Sequence, residues 1–176
     1  MRNIIKKKRG AFTDIFIFII MAFTIVLISG IFIYLGNTTQ TKLHESLDNR
    51  STSAINYTQK IDMAFNDLNS SYATLRWISA FLILGMIIEI LIGSFLVTSR
   101  PVFFIAHIFI TIIAVIVAVP VSNVYETLLS NPTLGSTFQQ FTASNFLLAH
   151  LPTFVAIIGI IGGVIMVSKL EISDYG

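Results

Sequence analysis

The sequence predicts an all-α integral membrane protein, a four-transmembrane-helix bundle in which an outward helical hairpin extends spans 1 and 2. Three observations carry that expectation. The chain of 176 residues is 55% hydrophobic and 11% charged, against roughly 25% charged residues in an ordinary soluble domain, and its mean hydropathy is +0.83. Its apolar residues gather into four stretches, 11–35, 77–97, 102–124 and 146–168; each has the length of about 20 helical residues that a hydrocarbon core requires. Between the first two, residues 37–76 contain neither Pro nor Gly, and apolar side chains recur at Leu47, Ala54, Ile61, Leu68 and Leu75. That spacing is the seam of a packed helix.

The first ten residues form a basic leader with Arg2, Lys6, Lys7, Lys8 and Arg9. The apolar run behind it exceeds the 7 to 15 residues of a signal peptide, so residues 11–35 are expected to remain as span 1. Lys6 to Gly10 followed by that run resembles the leader of type IV pilin-like proteins. The resemblance ends with the first span: Ile15 stands where that family carries a glutamate, and three further spans follow. In outline, four spans with a larger first and a smaller second outward loop are also similar to claudin-like junction proteins, whose Trp and Cys loop motif is missing here.

Residues 36–76 cannot be one straight helix, which would stand about 60 Å off the membrane without returning. The polar run from Asp48 to Ser53 is the natural place to reverse, because Asp, Asn and Ser suit turns and Ser or Thr caps the helix that follows. Span 1 is therefore expected to continue to about Leu47, turn, and come back from about Thr52 into span 2 at residues 77–97. This hairpin also holds the Asn-x-Ser/Thr sequences at Asn37, Asn49, Asn56 and Asn69.

Span 2 contains Glu89, flanked at helical spacing by Gly85 and Gly93. An ionisable side chain in hydrocarbon is expensive, and small residues beside it let a neighbouring helix approach. A tight inward turn at 98–101 leads to span 3, where His107 lies at nearly the depth of Glu89. The two are expected to meet across the antiparallel pair, either as a structural hydrogen bond or as a proton relay. Ala114 and Ala118 offer span 3 a small-residue face, and Pro120 is expected to bend or end the helix.

Residues 125–145 form the second outward loop. Asn131 to Gly135 reads as a turn, and Phe138, Phe141 and Phe146 interleave with Gln139, Gln140, Thr142 and Ser144 as in a short interfacial helix, with a segment dipping into the bundle or a cap over the outward helix ends as alternatives. Span 4, residues 146–168, carries a packing surface at Gly159, Gly162 and Gly163. Asp14 and His150 are boundary polar residues, near the inner end of span 1 and the outer end of span 4. Residues 169–176 are the tail.

Seven basic residues (the leader's five with Arg100 and Lys169) fall on one side of this topology and four (Lys42, Arg50, Lys60, Arg76) on the other. The excess places both termini in the cytoplasm. A formal charge of +2 gives no footprint for nucleic acid. The chain lacks cysteine, hydrolase and phosphate-loop motifs, and metal-ligand spacing; no enzyme activity, cofactor or metal is expected. The partners implied are the lipid bilayer and either further copies of the chain or a larger membrane complex. The functional expectation is a structural or interaction membrane protein, an assembly or accessory subunit of the kind that includes membrane proteins of lipid-containing viruses and phages. The alternative is an oligomeric pore or proton/cation-conducting protein that uses Glu89.

Overall fold

The computed structural model describes residues 12–48, 57–96 and 101–174, with side-chain surroundings for 14–47, 57–96 and 102–168. The leader, the turn 98–100, seam position Ala54 and the expected reversal after Asp48 lie outside the described residues. All described elements are helical: α1 Phe12–Asp48, α2 Tyr57–Leu96, α3 Pro101–Leu129, α4 Gly135–Phe138, α5 Thr142–Ala149 and α6 Leu151–Asp174. Helices α1, α2, α3 and α6 are long and apolar enough to cross a membrane.

These four helices are apolar on every side, so no single stripe decides which way each one faces. Large side chains such as Ile20, Ile28, Phe81, Phe95, Phe109, Ile116 and Ile160 remain exposed, an arrangement suited to lipid and costly in water. Helix α1 packs on α2 and α3, and α6 packs on the same two from the other side, leaving α2 and α3 diagonally opposed. The centre is filled by Ile15, Ile19, Ala22, Val26 and Ile33 of α1, Ile83 and Ile90 of α2, Ala114 and Ala118 of α3, and Val155 and Ile158 of α6.

Helices α1 and α2 run antiparallel for most of their length. Descending α1, one meets a Phe32 ring edge-to-face with Tyr72 at 6.1 Å and then a His44 imidazole 3.0 Å from the Asp62 carboxylate. Gly36 admits the Tyr72 hydroxyl, where a Cβ would overlap it. Of the seam positions, Ile61 is buried and Leu47 and Leu75 are half-buried, but Leu68 is 38% exposed, and Tyr72 takes the buried place one turn on. A strict seven-residue repeat drifts about 20° per heptad around a straight helix, and the notch at Gly36 draws the contact onto Tyr72.

Helix α3 continues through Pro120 to Leu129 instead of ending there. Proline removes one backbone donor, and a membrane helix absorbs that loss through neighbouring groups. The segment after α3 folds over the ends of the long helices as a cap, the alternative to an interfacial helix. Phe138 and Phe141 are buried, with Phe138 edge-to-face with Tyr125 at 6.3 Å and over Gly30. The cap is held by polar contacts. The Asn131 side-chain carbonyl accepts from the Thr133 and Leu134 amides at 2.9 and 3.0 Å, and the Tyr125 hydroxyl donates to Asn145. Asn145 donates in turn to the Phe138 carbonyl at 3.0 Å. The expected fourth span is thus α5 and α6, separated at His150. The Ala149 carbonyl at this break accepts from Ser122 at 2.7 Å, and Pro152 occupies the first turn of α6, where a missing amide costs little.

Candidate functional site

Two glycine-bearing faces hold the polar residues that the spans enclose, and they differ in what covers them. On α2, Gly85 and Glu89 are exposed and Gly93 is half-buried. Nothing lies within 4 Å of where a Gly85 Cβ would stand. Ile88 and Ile92 beside them are 48% and 55% exposed, so this face of α2 is directed away from the other helices. Asp14 of α1 is half-buried, and Glu89 stands on a surface otherwise made for hydrocarbon. A charge at the centre of a membrane helix costs on the order of 3 kcal/mol even on the mildest scale.

The α6 face is closed by the chain itself. His107 of α3 is 2% exposed, and its Nε2–H donates to the Gly159 carbonyl at 2.9 Å. Since a carbonyl only accepts, this bond fixes the proton on Nε2. Glycine is what permits the approach. A Cβ at Gly159 would overlap the Thr111 side chain, and one at Gly162 would stand 2.9 Å from the Ser94 hydroxyl and 3.3 Å from the imidazole. At Gly163 the nearest atom, in the Phe104 ring, would be 3.6 Å away, an ordinary contact. Ser94 is fully buried and donates back to the Ile90 carbonyl at 3.0 Å, so it enters the seam without an unmatched proton.

The expected Glu89–His107 contact is not formed. Although a short connection favours neighbouring helices, α6 stands between α2 and α3 and offers His107 a backbone carbonyl. Beside this seam, α3 and α6 leave an open groove of about 490 Å³ lined by Phe104, Ile108, Thr111, Ile112, Ile160 and Val164 among others. The Thr111 hydroxyl is buried in its wall without a hydrogen-bond partner.

His150 is exposed at the α5–α6 break, where its Nδ1–H donates to the Phe146 carbonyl at 3.1 Å. Sequence reasoning did not single out the pair Ser79–Ser144, whose hydroxyls meet at 3.2 Å in a buried contact between α2 and α5, nor Tyr125–Asn145. The available signal was polar residues at the ends of apolar stretches, which identifies candidates without pairing them. Arg76, in sequence a charge that bears on topology, has its Nε buried. Comparison with protein-family models, curated proteins and solved structures finds no match to this chain.

Proposed function

We propose that the protein is a multi-pass structural or interaction membrane protein. Its four spans form a bundle, and the polar extensions of α1 and α2 project outward as a helical hairpin. Both termini are cytoplasmic, and copies associate through the α2 face of Gly85, Glu89 and Gly93. The observation that carries this reading is the position of Glu89. It is exposed on α2, on a face directed away from the other helices, where lipid alone would be a poor neighbour, and Gly85 next to it leaves room for another helix. A second copy brings carboxyl groups that share protons and hydrogen bonds across the interface, and it covers the acids without a new cation. The same face could line a lumen if the copies closed into a ring, and that is the conducting alternative.

Photobleaching of labelled protein in liposomes tests the assembly. Native protein is expected as dimers or larger species, and Gly85→Leu as monomers, because the side chain fills the approach. Native protein that stays monomeric at every protein-to-lipid ratio refutes the proposal. Proton flux in the same liposomes separates the alternatives: flux lost in Glu89→Gln selects the conducting ring, and its absence from assembled native protein selects the structural role.

A further inference from the structure

On α2, Arg76 ends the polar extension and Trp77 begins the apolar stretch, which marks the level where the helix passes from water to hydrocarbon. Between this point and the beginning of α5 lies a pocket of about 170 Å³ lined by Arg76, Trp77, Gln140, Phe141, Thr142 and two alanines. Its polar lining residues, Arg76, Gln140 and Thr142, carry donors and no carboxylate. Arg76 Nε is buried there and has no hydrogen-bond partner, although a guanidinium stays ionised at any physiological pH. The Asp62 carboxylate is engaged elsewhere, with the His44 imidazole. A buried donor belonging to a charged group is costly to leave unmatched.

Helix α5 points its start at the same pocket. Phe141, its N-cap, makes no side-chain cap bond, so the first-turn amides at Thr142 and Ala143 are not consumed by a cap and carry the positive end of the helix dipole. Thr142 adds a hydroxyl, and Gln140 an amide that also donates to the Ser136 carbonyl at 3.2 Å. A guanidinium, a helix start and two polar side chains around a small volume match an oxyanion.

We propose that this pocket binds the phosphate of a membrane phospholipid from the leaflet at the capped end. The depth argues for a lipid over a soluble phosphate. Arg76 and Trp77 stand where phospholipid headgroups are already concentrated, and the neighbouring Trp77 and Phe81 rings, both 66% exposed and 6.5 Å apart, give the acyl chain an aromatic wall. The pocket is separate from the acidic α2 face, so its occupancy does not depend on how the copies assemble.

The test is lipid exchange followed by native mass spectrometry, with full-length protein offered an equimolar mixture of phosphatidylglycerol and a monoglycosyl diacylglycerol of the same chains. The glycolipid lacks only the phosphate-bearing headgroup. Native protein is expected to retain phosphatidylglycerol with a preference of roughly tenfold or more, the worth of a charge-assisted hydrogen bond. Arg76→Gln loses that preference, while Arg76→Lys, which keeps the charge but not the planar fork, retains part of it. Equal retention of the two lipids by native protein overturns the proposal without reference to any variant, as does an unchanged preference in folded Arg76→Gln. Displacement of the lipid by millimolar inorganic phosphate overturns the lipid assignment and makes the pocket a site for a soluble anion.

Discussion

Helices α2 and α6 both carry glycines at helical spacing in an apolar stretch, with Glu89 among them on α2 and His107 of the neighbouring α3 against them on α6, and the protein disposes of the two in opposite ways. The α6 glycines close onto His107, Thr111 and Ser94 inside the protomer. The α2 glycine at position 85 meets nothing, and Glu89 beside it is exposed. The difference follows from the polar partner. Imidazole carries an N–H that a backbone carbonyl can accept, so a helix backbone offers His107 a partner. A carboxyl group needs a donor or a shared proton, which a helix backbone with its amides already paired does not offer. The small-residue signature therefore reports that a helix will approach and leaves open whose helix it is.

Four substitutions sharpen this contrast. The largest effect is expected at His107→Ala, which removes a buried side chain and strands the space at the centre of the α3–α6 seam; thermal unfolding in detergent should show a loss of about 2–4 kcal/mol. Next comes Gly162→Leu, which must displace Ser94 or the imidazole. Overpacking of this kind costs about 1–3 kcal/mol, read by the same melts. The identical change at Gly85 is the critical comparison: Gly85→Leu should leave protomer stability within about 0.5 kcal/mol while reducing association in lipid. If both glycines destabilise the protomer equally, the two faces are not different in kind. The smallest effect belongs to His44→Ala on the polar extension. That ion pair joins side chains 27% and 59% exposed, so its loss should change stability by less than about 0.5 kcal/mol, with more frequent opening visible as faster amide exchange near Asp62.

What the sequence made legible was set by the bilayer. Hydrocarbon thickness fixes how long an apolar stretch must be, and the four spans follow from counting; so does the continuation of α1 and α2, since nothing in residues 37–47 or 57–76 breaks a helix. The order of helices around the bundle was not legible. Helices that are apolar on all sides have no preferred face, and the turn at 98–101 suggested that Glu89 and His107 were neighbours when α6 in fact separates them. The cap was one of several arrangements the sequence left open, for a related reason: Phe138 and Phe141 interleaved with polar residues suit a membrane surface as well as a buried cover. What decides between them is the notch at Gly30, remote in sequence, where the Phe138 ring fits. Tyr72 and Gly36 make the same point, because neither belongs to the seven-residue repeat and their complementarity appears only when α1 and α2 are side by side.

The central claim is that the α2 face around Glu89 meets a second copy of the chain, and the absence of cysteine makes a direct measurement available. Gly85→Cys and, as a control on an equally lipid-accessible surface, Ile116→Cys of α3, which is 64% exposed in the native chain, would each be oxidised in native membranes and resolved by size. A disulfide forms only when the two backbones come within about 7 Å. The account predicts a species at twice the 19.5 kDa chain mass for Gly85→Cys and none above background for Ile116→Cys. No crosslink at position 85, or equal crosslinking at both, would contradict it.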